Sequence, residues 1–178
     1  IAAIKCEEII KELINNNIKI DCILTEKTKN FINYKKLKKE IKGNIFTDKS
    51  EKNNKMLHIE LSRKSDLIVV CPATANTIAK YANGLADNLA STTLLAANTK
   101  IIFIPAMNKE MWGNKINQKN VRFLLDTGVE FIGPKYGKLF CGEKGIGHLA
   151  NTRLILKNII KYINQTKVLN GKNCLVTA

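Results

Sequence analysis

The sequence predicts an α/β domain: three layers, with helices covering both faces of a parallel sheet. Three observations predict it. Residues 67–71 and 101–104 are short apolar runs without polar alternation, as strands buried on both faces tend to be. Each run stops at a proline, Pro72 or Pro105, followed by small and polar residues that lead into a helical pattern. Amphipathic stretches separate the apolar runs, which suits the crossovers that parallel strands require. With 178 residues, 45% of them hydrophobic, the chain can bury one core of ordinary domain size, and a second complete domain does not fit.

Residues 1–16 place Ile1, Ile4, Ile9, Ile10, Leu13 and Ile14 near one helix face. The chain thus opens inside a motif, and the first strand with its glycine turn is expected to be missing. Residues 19–24 read as a strand ending in Thr25-Glu26-Lys27-Thr28, whose threonines either hold a ligand's polar atoms or cap the next helix. The pattern over 31–50 is weak, and its lysine run at 35–39 reads as a solvated helix face. Residues 48–55 are polar and aperiodic, which predicts a surface loop, and 56–62 form a short helix leading to the strand at 67–71. After Pro72, Thr74-Ala75-Asn76-Thr77 offers hydroxyls, an amide and backbone N–H groups to a planar or anionic ligand, a use compatible with helix capping by Thr74 or Asn76. A glycine break at Gly84 precedes a small-residue helix through Leu95. Asn108 lies three residues past the strand at 101–104, at the carboxyl end where open parallel sheets bind ligands, and its amide can donate and accept. A helix over 118–127 ends at Gly128, and a strand follows at 129–132. Residues 137–148 set four glycines around Cys141 and read as a mobile flap, with His148 a surface residue beside it. A last amphipathic helix spans 154–163, and 171–178 looks like the first strand of a further unit.

The formal charge of +14 suggests a nucleic-acid surface, but Arg63, Arg122 and Arg153 are the only arginines among 29 cations. Bidentate recognition of phosphate or guanine favours arginine, and no aromatic residues interleave with the lysines to stack on bases. The expectation is no nucleic acid, although a positive field still attracts small phosphorylated ligands. No apolar run approaches the ~18 residues of a membrane span and the N-terminus lacks a signal pattern, so a soluble, cytoplasmic protein without a membrane partner is expected. Five cysteines in no metal or C-x-x-C spacing predict neither zinc nor a disulfide framework. Cys6, Cys22, Cys71 and Cys174 sit in apolar patterns as small buried side chains, while Cys141 stands apart in the glycine flap.

His58-Ile-Glu-Leu-Ser62, Pro72-Ala-Thr-Ala-Asn-Thr77, Pro105-Ala-Met-Asn-x-x-Met-Trp112 and Leu139-Phe-Cys-Gly142 together resemble the flavin-dependent phosphopantothenoylcysteine decarboxylases, of the homo-oligomeric flavin-containing cysteine decarboxylase superfamily. All four stand in family order, and the resemblance covers roughly residues 1–161. It implies a Rossmann-like (flavodoxin-like) sheet and an FMN cofactor. The tail from Asn170 to Ala178 resembles the start of the phosphopantothenate-cysteine ligase domain fused to such decarboxylases. The implied division is an N-terminally truncated decarboxylase domain over 1–166, then a linker and first ligase strand over 167–178.

The implied reaction takes 4′-phosphopantothenoylcysteine to 4′-phosphopantetheine in coenzyme A biosynthesis. Flavin oxidises the substrate thiol to a thioaldehyde, CO2 leaves, and the enethiolate is reduced again. By the same resemblance His58 is the base, Asn108 holds the carboxylate and Cys141 donates the proton of the reductive half. A buried helix histidine with a fixed partner is the structural alternative for His58. FMN contacts are implied for Thr25, Glu26, Lys27, Thr74, Ala75, Asn76, Thr77 and Ala106, and substrate contacts for Asn108, Met111, Cys141 and Gly142. A trimer or a multiple of trimers is implied as well. Two alternatives remain: a peptidyl-cysteine decarboxylase, which has no need of Cys141, and a non-catalytic decarboxylase-like regulatory subunit.

Overall fold

The computed structural model describes residues 2–41, 43–53, 55–138, 142–165 and 173–177. In chain order the elements are α1 (Ala2–Asn15), β1 (Lys19–Ile23), a 3-10 turn (Glu26–Asn30), α2 (Tyr34–Glu40), β2 (Ile45–Phe46), α3 (Asp48–Asn53), α4 (Leu57–Lys64), β3 (Leu67–Ala73), α5 (Ala75–Ala82) and α6 (Leu89–Leu95). They continue with β4 (Lys100–Pro105), α7 (Lys109–Gly113), α8 (Lys115–Asp126), β5 (Glu130–Phe131), β6 (Lys135–Lys138), β7 (Lys144–His148), α9 (Thr152–Gln165) and β8 (Asn173–Thr177).

Six strands form one sheet in the order β2-β1-β8-β3-β4-β5, and the pairs are parallel. Successive side chains of a strand point to opposite faces, and here both faces are covered. Along β3 and β4, Val69, Cys71, Ile102 and Ile104 join Leu13 of α1 and Ile155 and Ile159 of α9 in one core. Their neighbours Ile68, Val70 and Phe103 join Leu61, Ile78, Leu94, Val121 and Leu124 in the other, beneath α4, α5, α6 and α8. This is why the strand sequences carry no polar alternation. Each such side chain, once buried, contributes roughly 1.5–3 kcal/mol of transfer free energy.

The structure departs from the sequence reading in several places. Residues 48–53, expected as a loop, form α3. Its polar sequence has no hydrophobic period, but Thr47 N–H donates to Ser50 Oγ at 3.0 Å, and Asp48 and Glu51 lie in the first turn beside the helix's positive end. Asp48 Oδ1 also accepts from Leu89 N–H at 3.0 Å, which ties α3 to the start of α6. The weak stretch before it contains the edge strand β2 as well as α2. β3 runs through Pro72 to Ala73, with a register shift after Val70 where proline supplies no ladder donor.

The tail strand β8 lies in the main sheet, pairing Cys174 with both Ile20 of β1 and Leu67 of β3. It lies between β1 and β3, so the inner edges of both strands are hydrogen bonded. Within the segment expected as a flap, β6 and β7 pair antiparallel, Tyr136 with Ile146 and Gly137 with Gly145. The hairpin rests on the segment after β4, where Met107 N–H donates to Gly147 O at 2.9 Å. Gly147 permits that approach: a Cβ there would meet Met107 O at 2.2 Å.

Candidate functional site

Parallel strands bring their carboxyl ends to one edge of the sheet, which places three of the predicted segments together. β1 delivers Thr25, Glu26 and Lys27; β3 delivers Thr74, Ala75, Asn76 and Thr77; β4 delivers Ala106, Met107 and Asn108. The last two segments are joined directly, for Ala106 N–H donates to Ala73 O at 3.2 Å.

Thr74 caps α5: its Oγ1 accepts from Thr77 N–H at 3.2 Å and pairs with Thr77 Oγ1 at 3.0 Å. Thr74 and Asn76 are exposed, Ala75 and Thr77 half-buried. The capping and ligand readings of this segment therefore coexist, because the side chain that holds the helix start also stands at the surface. Thr25 Oγ1 pairs with Thr28 Oγ1 at 2.8 Å. Thr28 is buried within the 3-10 turn, and α2 is capped instead by Asn33, whose side chain accepts from Lys36 N–H at 3.1 Å. That corrects the expectation of a cap at Thr28.

Asn108 is half-buried and caps α7, its Oδ1 accepting from Glu110 N–H at 2.8 Å. Behind it, Gln118 Nε2 donates to Trp112 O at 2.6 Å and Asn117 Nδ2 to Met107 Sδ at 3.6 Å, fixing the turn against α8. Met111 is half exposed on α7. Gly142 is exposed with a φ of +87°, and a Cβ on it would meet nothing within 4 Å. Lys109 Nζ lies 3.7 Å from Glu143 Oε2, so a salt bridge joins the hairpin loop to α7. Cys141 lies outside the described residues.

His58 sits in the first turn of α4, half-buried. Because α4 enters β3 through Ser65 and Asp66 at the amino end of the strand, the start of the helix lies toward the carboxyl edge. His58 Nδ1 is 2.6 Å from Glu51 Oε1 of α3. Glu51 is not singled out by the sequence, because residues 48–55 are polar and aperiodic. The Thr47-Asp48-Lys49-Ser50-Glu51 pattern of a helix start was the available signal.

Flanking α5, Lys80 Nζ lies 2.5 Å from Asp87 Oδ2. The hydrogen bond from Lys80 is the main cause that holds the Asp87 carboxyl below its ordinary value. On the other side of the sheet, Cys6 Sγ donates to Cys71 O at 2.9 Å and lies 3.4 Å from Cys71 Sγ. This contact and burial push the Cys71 thiol well up, so it stays protonated. Cys6, Cys22 and Cys71 are buried, as their apolar settings predict.

FMN presents a planar ring with donors and acceptors on its edge and a phosphate. The strand-end edge offers hydroxyls from Thr25, Thr74 and Thr77, the Asn76 amide, the Lys27 ammonium and the first-turn N–H groups of α5, a donor set that fits both parts. A cleft of about 540 Å³ lies beside β2, lined among others by Asp21, Tyr34, Lys38, Ser50, Leu57 and Glu60, so it borders the segments that carry Glu51 and His58. Its lining contains none of residues 25–27, 74–77 or 106–108.

Among the described residues, no helix is long and apolar enough to cross a membrane. A family model described as Flavoprotein matches residues 1–164. The chain is 34% identical over 179 residues to the coenzyme A biosynthesis bifunctional protein CoaBC of Borreliella burgdorferi, covering 100% of this chain and 46% of that protein. It is 32% identical over 163 residues to a probable phosphopantothenoylcysteine decarboxylase of Streptococcus mutans, covering 89% of this chain and 91% of that one. The chain thus spans about half the length of the bifunctional relatives it matches. Among solved structures, a PPC decarboxylase variant complexed with pantothenoylaminoethenethiol superposes with a TM-score of 0.82 at 29% identity, covering 90% of this chain and 91% of that chain. The FMN binding protein AtHal3 superposes with a TM-score of 0.81 at 30% identity, covering 92% and 91%.

Proposed function

Because the chain belongs to the Flavoprotein family, we propose that it is the FMN-dependent decarboxylase module of coenzyme A biosynthesis, a carboxy-lyase acting on 4′-phosphopantothenoylcysteine. The observation that carries this reading is the direct link between the Thr74–Thr77 and Ala106–Asn108 segments at one sheet edge, through the Ala106 N–H to Ala73 O bond. The relatives named as decarboxylases and the FMN-binding neighbour support it.

FMN, when bound, supplies the two-electron oxidation of the substrate thiol and returns the electrons after CO2 has left. The chain's own residues supply the rest. Thr25, Thr74, Asn76 and Thr77 hold the cofactor through hydroxyl and amide groups, with Glu26, Lys27, Ala75 and Ala106 beside it. Asn108 orients the substrate carboxylate from a turn that α8 and the hairpin keep in place, and Met111 and Gly142 border the substrate. His58 is the base. Cys141 donates a proton in the reductive half.

The module works as a cytoplasmic trimer or a multiple of trimers. It occupies residues 1–166 of a longer protein, and 167–178, whose strand β8 lies in the module's own sheet here, lead on to a ligase domain that joins cysteine to 4′-phosphopantothenate; the half-length match to bifunctional relatives supports a longer protein. The test is the visible spectrum of the purified natural full-length protein before and after anaerobic addition of 4′-phosphopantothenoylcysteine. A flavin spectrum that returns as 4′-phosphopantetheine forms is the expected result. A protein that takes up no FMN, or holds it and releases no CO2, would overturn the reading.

A further inference from the structure

We infer that Glu51 is a positioning residue for His58, fixing its neutral tautomer so that Nδ1 carries the hydrogen and Nε2 presents the lone pair. The inference rests on the functional reading above for the role of His58, and on three contacts for the geometry. Glu51 Oε1 stands 2.6 Å from His58 Nδ1, a short distance that suits a charge-assisted hydrogen bond to a carboxylate. A carboxylate only accepts, so the shared hydrogen belongs to Nδ1 and the basic nitrogen of the neutral ring is Nε2. Glu51 is itself held: it lies on α3, whose start is closed by Thr47 N–H on Ser50 Oγ and anchored to α6 by Leu89 N–H on Asp48 Oδ1.

The two side chains are partly exposed, 21% for His58 and 27% for Glu51, so the pair stands at the surface of the single chain. A surface ion pair contributes little to stability. Its consequence is for the direction of the lone pair. A proton taken up at Nε2 leaves an imidazolium whose charge faces the Glu51 carboxylate, and the same contact then stabilises the product of the transfer.

The test uses the FMN-loaded full-length protein labelled with 15N-histidine. The His58 signals are identified by their absence from the spectrum of His58→Asn, and those of His148, the other histidine among these 178 residues, by their absence from His148→Asn. His148 Nδ1 lies 2.9 Å from Leu149 O. The expected result is an Nδ1–H tautomer for neutral His58 in the wild type, and loss of that preference in Glu51→Ala. Decarboxylation should fall by about 10²-fold or more in kcat with KM nearly unchanged, and Glu51→Asp should restore part of both readouts. Thermal melting of each variant separates a lost tautomer from a lost fold. A wild-type ring protonated at Nε2 would overturn the proposal, as would a folded Glu51→Ala variant with unchanged tautomer and kcat. Should the wild type prove inactive on 4′-phosphopantothenoylcysteine, the functional reading fails while the tautomer measurement still decides the positioning.

Discussion

Gly147→Ala tests whether the β6–β7 hairpin holds the Asn108 turn. A Cβ at this position would stand 2.2 Å from Met107 O, where contacts under 3.0 Å essentially never occur. The two segments must therefore part by roughly 0.8 Å, because the atom met is backbone and cannot rotate away. Parting breaks the Met107 N–H to Gly147 O bond of 2.9 Å, a loss of about 1 kcal/mol. Overpacking adds about 1–3 kcal/mol. The total of roughly 2–4 kcal/mol should lower the melting temperature by about 4–16 °C in a chain of this size. A turn displaced by most of an ångström should also cost on the order of 10²-fold in kcat/KM. Differential scanning calorimetry and an anaerobic decarboxylation assay read the two effects. Gly84→Ala is the control: its φ is +67° and a Cβ would meet nothing within 4 Å, so it should cost only the strain of about 1–2 kcal/mol and leave kcat/KM intact. A Gly147→Ala protein that melts with the wild type and keeps its kcat/KM would refute the reasoning.

Thr74→Ala removes the α5 cap and should destabilise the protein by about 1 kcal/mol while weakening FMN binding; Thr74→Ser should keep most of both, read by melting and flavin fluorescence titration. Cys71, with its thiol pushed up by Cys6 and by burial, should resist maleimide in the native protein at pH 8 and react on unfolding. Stoichiometric native labelling of Cys71, read by mass spectrometry, would contradict the packing. Asp87 has its carboxyl held below the ordinary value chiefly by Lys80, so its folded pKa lies below its unfolded one. Its contribution is present at neutral pH and lost as pH falls below the ordinary carboxylate range and through the folded value. Asp87→Asn should reduce the loss of melting temperature between pH 5 and pH 3; an identical acid slope in both proteins would count against the contact.

The sequence by itself determined the fold class and the position of most site segments. The apolar runs that became β3 and β4 can be buried on both faces only in a covered parallel sheet, and parallel strands necessarily release Thr74–Thr77 and Ala106–Asn108 at the same edge. What lies between distant segments was decided by tertiary structure. α3 has no hydrophobic period to read, because capping and the Asp48 contact with Leu89 hold it, so neither the helix nor the meeting of Glu51 with His58 was legible. Gly147 read as part of a mobile flap until its backbone was seen against Met107 O. Strand periodicity likewise carries no information about partners: the pattern of 173–177 announces a strand, and only the tertiary structure shows that it pairs with β1 and β3. Local patterns specify what each segment can bury; hydrogen-bonding edges and close backbone approaches specify which segments meet.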